Sequence, residues 1–242
     1  MTGVLVTRAE PGASQTAQRL IDLGYSPVIA PLLEIATVSD AEAKLDGVQA
    51  VLFSSPNGAR AFADLTERTN LPALCVGEAT ARAAREAGFD DVRSAGGDGG
   101  DLAALARLTL DPAGGTVLWA SGAHVSTDLG ALLSEGGFAV RRAAVYRADC
   151  ADCLPPAARE AIADRRIAAV LFHSARAART FAELATDAGL AHAAADLAAV
   201  CISARVAEAA GALDWGHVEI AAAPDEDALL AALERAAGAG RA

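Results

Sequence analysis

Short apolar runs alternate along this chain with longer stretches whose apolar positions recur at helical spacing. Runs at 4–7, 26–30, 51–53, 73–76, 91–94, 116–120, 139–147, 167–172, 198–202 and 217–220 predict strands. Between them the spacing predicts helices from near Pro11 to Leu23, then at 56–65, 78–87, 101–108 and about 124–135. A short helix ending at Asp164 follows, then helices at 174–187, 203–212 and 226–237. Residues 32–38 read as extended, with a weak helix after them, and 150–156 as a linker. Gly24 supplies a left-handed stop to the first helix, and Pro56 suits a first helical position, where its missing N–H has no partner to lose. Strands alternating in this way with helices of about ten residues predict parallel sheets wound on both faces.

The outline occurs twice. Val51-Leu-Phe-Ser-Ser-Pro-Asn-Gly-Ala-Arg-Ala-Phe62 is matched by Val170-Leu-Phe-His-Ser-Ala-Arg-Ala-Ala-Arg-Thr-Phe181: an apolar strand, a Ser at its end, then a small-residue helix carrying Arg and Phe. Val4-Leu-Val-Thr-Arg8 pairs with Val117-Leu-Trp-Ala-Ser121, and Leu74-Cys-Val-Gly77 with Val200-Cys-Ile-Ser203. The offsets of 113, 119 and 126 residues drift slowly, as expected of two similar α/β halves.

A length of 242 residues suits one large or two modest domains. The chain is 53% apolar, yet no run nears the roughly 18 residues of a membrane span, so no membrane partner is expected. Met1-Thr-Gly leads straight into a strand without a basic or cleavable leader, which predicts a cytoplasmic protein. The net charge of −11 argues against a nucleic-acid partner, which wants a basic face. Cys150-Ala-Asp-Cys153 has no second close pair to complete a zinc site and is followed by Leu154-Pro155-Pro156, so all four cysteines read as reduced thiols and no metal is expected. No long apolar stripe is left over once the core is assigned, which predicts a monomer.

In doubly wound sheets, ligands collect outside the carboxyl ends of the strands, where helix N-termini point. The residues placed there are Thr7-Arg8, Ser54-Ser55-Pro56-Asn57, Gly77-Glu78-Ala79-Thr80, Ser121-Gly122, His173-Ser174 and Ser203. Small hydroxyls and glycines let backbone N–H groups approach an anion closely, although any one Ser or Thr also serves as a helix cap. Gly96-Gly-Asp-Gly-Gly100 lacks the Gly-Lys-Ser/Thr of a P-loop and falls late in its unit, so it reads as a flexible connection. His173 stands at a strand end, while His124, His192 and His217 read as surface or loop residues. Tyr146, one of two tyrosines, closes a long strand, and Glu34 reads as a solvated carboxylate rather than a general acid.

Together, Val4-Leu-Val-Thr-Arg8, Pro31 with Leu33 and Ile35, Leu52-Phe-Ser-Ser-Pro56, Val76-Gly-Glu-Ala-Thr80, Val145-Tyr146-Arg147, Phe172-His-Ser174 and the closing helix at 227–233 resemble the uroporphyrinogen-III synthase family over nearly the whole chain. The resemblance implies two flavodoxin-like α/β domains, one of 1–35 with 152–242 and one of 41–142. Segments 36–40 and 143–151 would form a two-strand linker, with the active site in the cleft between the domains. It implies cyclisation of hydroxymethylbilane with loss of water and inversion of the terminal ring, as a hydro-lyase needing no cofactor. The substrate would be handed over from hydroxymethylbilane synthase. It also implies Tyr146 as proton donor to the departing hydroxyl and Thr80 near the site. Arg8, Ser54, Ser55, Asn57, Gly77, Ser121, His173, Ser174 and Ser203 are the substrate-binding candidates, because an acidic protein must hold eight substrate carboxylates with local donors. Two departures stand out: Val206 where the family has a hydroxyl, and His173 where it has a Thr. Two other readings remain, a non-catalytic two-domain anion sensor and an inactive member of the same family.

Overall fold

The computed structural model describes residues 2–38, 44–67, 69–125 and 127–239. It divides into two compact units, one of Met1–Glu34 with Asp149–Ala242 and one of Ile35–Ala148. The first unit holds β1 (Gly3–Val6), α1 (Gly12–Asp22) and β2 (Ser26–Ile29) from the start of the chain. The chain leaves it within β3 (Leu33–Thr37). The second unit continues with β4 (Val48–Phe53), α2 (Pro56–Leu65), β5 (Ala73–Cys75), α3 (Glu78–Glu86), β6 (Val92–Ser94) and α4 (Gly99–Thr109). β7 (Thr116–Gly122), α5 (Leu129–Ser134) and β8 (Val140–Cys150) follow, and the chain returns to the first unit within β8. The first unit resumes with α6 (Pro156–Ala163), β9 (Ile167–Phe172), α7 (Ala175–Asp187) and a 3₁₀ turn (Ala191–Asp196). β10 (Ala198–Cys201), α8 (Ala204–Ala210), β11 (His217–Ile220) and α9 (Glu226–Ala239) finish it.

Unit 1 has the strand order β2-β1-β9-β10-β11, parallel throughout. Unit 2 has β8-β7-β4-β5-β6, also parallel, with β3 added beside β8. Matching the strands place by place pairs β1 with β7, β9 with β4 and β10 with β5. Those are the pairs whose sequences repeat. Unit 2 is thus the same sheet as unit 1 entered at a different strand, a cyclic permutation. The repeat extends into the packing. Phe53, Phe62 and Phe89 form an aromatic cluster with ring centroids 5.3–6.1 Å apart. Phe172, Phe181 and Trp215 form its counterpart at 5.6–5.7 Å, and Phe89 and Trp215 are again 126 residues apart.

Alternation along each strand fills both faces. In unit 1, Leu5, Val170 and Phe172 face α6, α7 and α8, whereas Val4, Val6 and Leu171 face α1 and α9. In unit 2, Val51, Phe53 and Leu118 pack with α2 and α3, whereas Leu52, Val117 and Trp119 pack with α4 and α5. Helices therefore cover both faces of each parallel sheet, as the alternation of elements predicts.

Three local expectations differ. The glycine run is not wholly a connection, because Gly99 and Gly100 already belong to α4. Asp98 accepts from the amides of Gly100 and Asp101, and Asp101 accepts from the amide of Asp98, so a capping box starts the helix inside the run. The helix expected at about 124–135 is α5 alone, begun where Asp128 accepts from the Ala131 amide. The weak helix expected after Val38 falls partly on 39–43, outside the described residues, as does the end of the 36–40 segment; no described residue at 44–47 is helical.

Candidate functional site

The carboxyl edge of each sheet is most open to a ligand where the strand order reverses, between β1 and β9 in unit 1 and between β7 and β4 in unit 2. Both places carry dense side-chain networks.

In unit 2, β4 ends in Ser54 and Ser55. Ser55 caps α2, its Oγ accepting from the Gly58 amide at 3.1 Å, and lies 2.9 Å from the Tyr146 hydroxyl. Tyr146 comes from β8, whose register sets it opposite Gly122 of β7. A Cβ on Gly122 would stand 2.8 Å from the tyrosine Cζ and 3.0 Å from its hydroxyl oxygen, so the ring lies directly against the bare glycine. Ser54 accepts from the Trp119 indole N–H at 3.2 Å. The Arg142 guanidinium sits 5.4 Å from the centroid of that indole, donates to Ser121 Oγ at 2.9 Å, and donates to the carbonyls of Gly122 and Ala123. One arginine thereby fixes the backbone that Tyr146 rests on.

Of the remaining candidates in this unit, Ser121 is fully buried, and its hydroxyl meets Arg142 and the Gly122 carbonyl. Asn57 lies in the first turn of α2, half-buried, with Arg60 as its neighbour. Gly77 precedes α3 without a side-chain cap, and Thr80 is buried in that helix's first turn.

In unit 1, Thr7 is fully buried, and its hydroxyl donates to the Leu171 carbonyl at 2.7 Å, tying β1 to β9 across the reversal. Beyond them lies a charged cluster centred on Glu226, the first residue of α9. Its Oε2 accepts from Arg8 at 3.0 Å and meets His173 Nε2 at 2.9 Å, and its Oε1 accepts from Thr16 at 2.6 Å. The Arg8 guanidinium lies flat on Gly12, where any Cβ would come within 2.5 Å of Nε. Burial lowers the basicity of His173 below that of a free imidazole, so it donates to Glu226 as a neutral ring. Its Nδ1 is buried without a hydrogen-bond partner among the described residues. Burial opposes ionisation of Glu226, but the hydrogen bond from His173 and its charge once protonated, then the Thr16 hydroxyl and the charge of Arg8, outweigh it and hold the carboxyl well below the usual range.

Ser174 caps α7 through the Ala177 amide, whereas Ser203 precedes α8 without such a bond. The structure thus gathers Ser54, Ser55, Ser121 and Tyr146 into one network and Arg8 and His173 into another. Glu226, Trp119 and Arg142 were not singled out in the sequence. Glu226 opens a helix predicted at that residue, so an acid near a strand-end arginine was its only signal; Arg142 and Trp119 looked like ordinary strand positions.

Comparison with known families matches residues 14–231 to the family described as uroporphyrinogen-III synthase HemD. Comparison with the curated proteins finds no significant match. Among solved structures, the chain is similar to uroporphyrinogen-III synthetase from Helicobacter pylori, with a TM-score of 0.63 and 16% identity, over 97% of this chain and 99% of that one. It is also similar to a mutant uroporphyrinogen III synthase from Thermus thermophilus, with a TM-score of 0.56 and 19% identity, over 98% and 99% of the two chains. At these identities the two structures speak for the fold, and the match over 14–231 for the family.

Proposed function

The chain belongs to the uroporphyrinogen-III synthase family, and from that premise we propose that it acts as a hydro-lyase through Tyr146, converting hydroxymethylbilane to uroporphyrinogen III. The C–O bond of the terminal hydroxymethyl group breaks, and the departing oxygen takes up a proton and leaves as water. The far pyrrole ring attacks the exposed carbon through its substituted position. The spiro intermediate then rearranges with that ring inverted, and one proton is released as aromaticity returns.

The observation that carries this reading is the Tyr146–Ser55 pair, at 2.9 Å and backed by Gly122. A departing hydroxide needs an acid at a defined place. Ser55, pinned as the cap of α2, gives the phenol one resting position at the strand edge. General-acid help of this kind is worth about 10²–10⁴-fold. The other strand-end groups serve the carboxylates: the hydroxyls of Ser54, Thr80, Ser174 and Ser203, the amide of Gly77, the Asn57 side chain and Arg8, whereas His173 gives its one N–H to Glu226 and acts only by holding that carboxylate. Ser121 acts indirectly, through Arg142. On the same reading the protein works in the cytoplasm as a monomer, on substrate received from the enzyme that makes it, and requires no cofactor. Among the described residues, no helix is long and apolar enough to cross a membrane.

The test supplies freshly made hydroxymethylbilane to wild type and to Tyr146→Phe, oxidises the products and separates the porphyrin isomers. Unassisted closure gives the type I ring. The expected result is dominant type III product from wild type and a loss of about 10²-fold or more in the variant. A fully active Tyr146→Phe removes the tyrosine from the mechanism, and a wild type that yields only the type I ring refutes the whole reading.

A further inference from the structure

An acidic chain must concentrate its cations where it holds an anion. Arg8, the cation closest to the unit-1 strand reversal, already has Glu226 and Thr16 as partners. Two other arginines stand at the same edge, and neither has an ion pair or a side-chain hydrogen bond among the described residues. Arg176 is the second residue of α7 and half-buried; Arg205 is the second residue of α8 and exposed. Their places are equivalent. Phe172 of β9 and Cys201 of β10 are register partners, and each arginine lies four residues beyond its strand residue, past a serine that precedes the helix. α7 and α8 pack side by side in one cluster. Helices so packed run about 8–10 Å apart, a span that two arginine side chains can close around one carboxylate.

Neither arginine serves its own helix. The first turn is the positive end of a helix, where a cation is unfavourable and an acid is favoured. In α3, α4 and α9 the first turn carries acids instead: Glu78, Asp101, and Glu226 with Asp227. The internal repeat sharpens the contrast. The unit-2 counterparts of Arg176 and Arg205 are Asn57 and Ala79, and the counterpart of Val206 is Thr80. Unit 2 thus has uncharged side chains at the two places where unit 1 has cations.

The geometry points to Arg176 and Arg205 as a carboxylate-binding fork, specific to unit 1, that takes hold of the anionic side groups of the substrate. The identity of that ligand rests on the function proposed above. The fork holds substrate side groups and takes no part in breaking or forming bonds.

The variants Arg176→Gln, Arg205→Gln and the double variant test this, with Arg159→Gln on α6, an exposed arginine of the same unit, as the control for a lost charge. Steady-state rates with hydroxymethylbilane are measured at two salt concentrations. Each single variant is expected to raise KM about tenfold and the double variant more, with kcat little changed and Arg176→Lys recovering part of the loss. KM of the wild type should rise with salt, and that of the double variant should be flat. Binding is read separately from turnover by the thermal stabilisation that uroporphyrin III, itself an octacarboxylate, confers. Stabilisation of wild type and of Arg159→Gln, but not of the double variant, supports the fork even in a preparation that makes no type III ring. An unchanged KM in the double variant, or equal stabilisation of it by uroporphyrin III, overturns the fork and leaves the proposed reaction standing.

Discussion

Gly122→Ala is a sharp test of how Tyr146 is held. The new Cβ would meet the tyrosine Cζ at 2.8 Å, its hydroxyl oxygen at 3.0 Å and Cε2 at 3.1 Å. Carbon atoms rest about 3.5–4.0 Å apart, so the ring must withdraw by about 0.7–1 Å. Gly122 is the last residue of β7, but Arg142 pins its carbonyl and the next amide donates to the Tyr146 carbonyl, so the backbone yields little. The tyrosine hydroxyl is then carried beyond good bonding distance of Ser55, which cannot follow without releasing the α2 cap. Loss of that neutral hydrogen bond costs about 1 kcal/mol of stability, and a misplacement near 1 Å costs about 10²-fold in rate. The expected result is a folded protein, a midpoint in urea only slightly lowered, and kcat for type III product down about a hundredfold. Wild-type kcat in a folded Gly122→Ala protein would refute the claim that the position of Tyr146 against β7 matters.

Three further outcomes follow from the rest of the structure. His173 and Glu226 both titrate below their ordinary values of 6.5 and 4.5, so the unfolded chain binds more protons than the folded one as pH falls. Their stabilisation is complete above about pH 6.5 and is lost first through His173 and then, below about pH 4.5, as Glu226 protonates. Urea midpoints measured across that range should therefore fall with acid, and Glu226→Gln should flatten the lower part of the curve. Asp98→Ala removes the cap of α4 and should lower stability by about 1 kcal/mol in urea without changing the isomer ratio. Burial pushes the Cys75 and Cys201 thiols up to about 12, whereas Cys150 and Cys153 are exposed. A thiol reagent at mild pH should accordingly modify two cysteines in the native protein and all four only in denaturant.

The alternation of short apolar runs with small-residue helices was enough to read parallel sheets covered on both faces. The internal repeat went further, because strands that occupy equivalent places in the two sheets share sequence: Val4 with Val117, Val51 with Val170, Leu74 with Val200. What stayed illegible was set by contacts that leave no periodic trace. Asp98 and Asp101 start a helix inside a glycine run, and a cap overrides composition there. Glu226 meets Arg8 across 218 positions of chain, a pairing no local pattern encodes. Arg142 reads as a polar strand residue, and only the β7–β8 register lays it over Trp119 and against Ser121. Tyr146 reads as closing a strand that ends at 147, whereas β8 runs on to Cys150 and holds it inside the strand, and its resting place depends on Gly122, whose missing side chain says nothing by itself.

The cyclic permutation also has a consequence for how the protein is made. Unit 2 is one uninterrupted stretch, so all of its sheet partners leave the ribosome together and it can fold at once. β1 must wait for β9, since their pairing begins with Gly3 opposite Ile167, 164 positions apart. At synthesis rates of about 5–20 residues per second the apolar segment Val4–Val6 stays exposed for roughly 10–30 s, save for its contact with β2. β1 is thus translated long before it finds its place, and that interval is when nascent chains of this protein are most open to aggregation or to the grip of a chaperone.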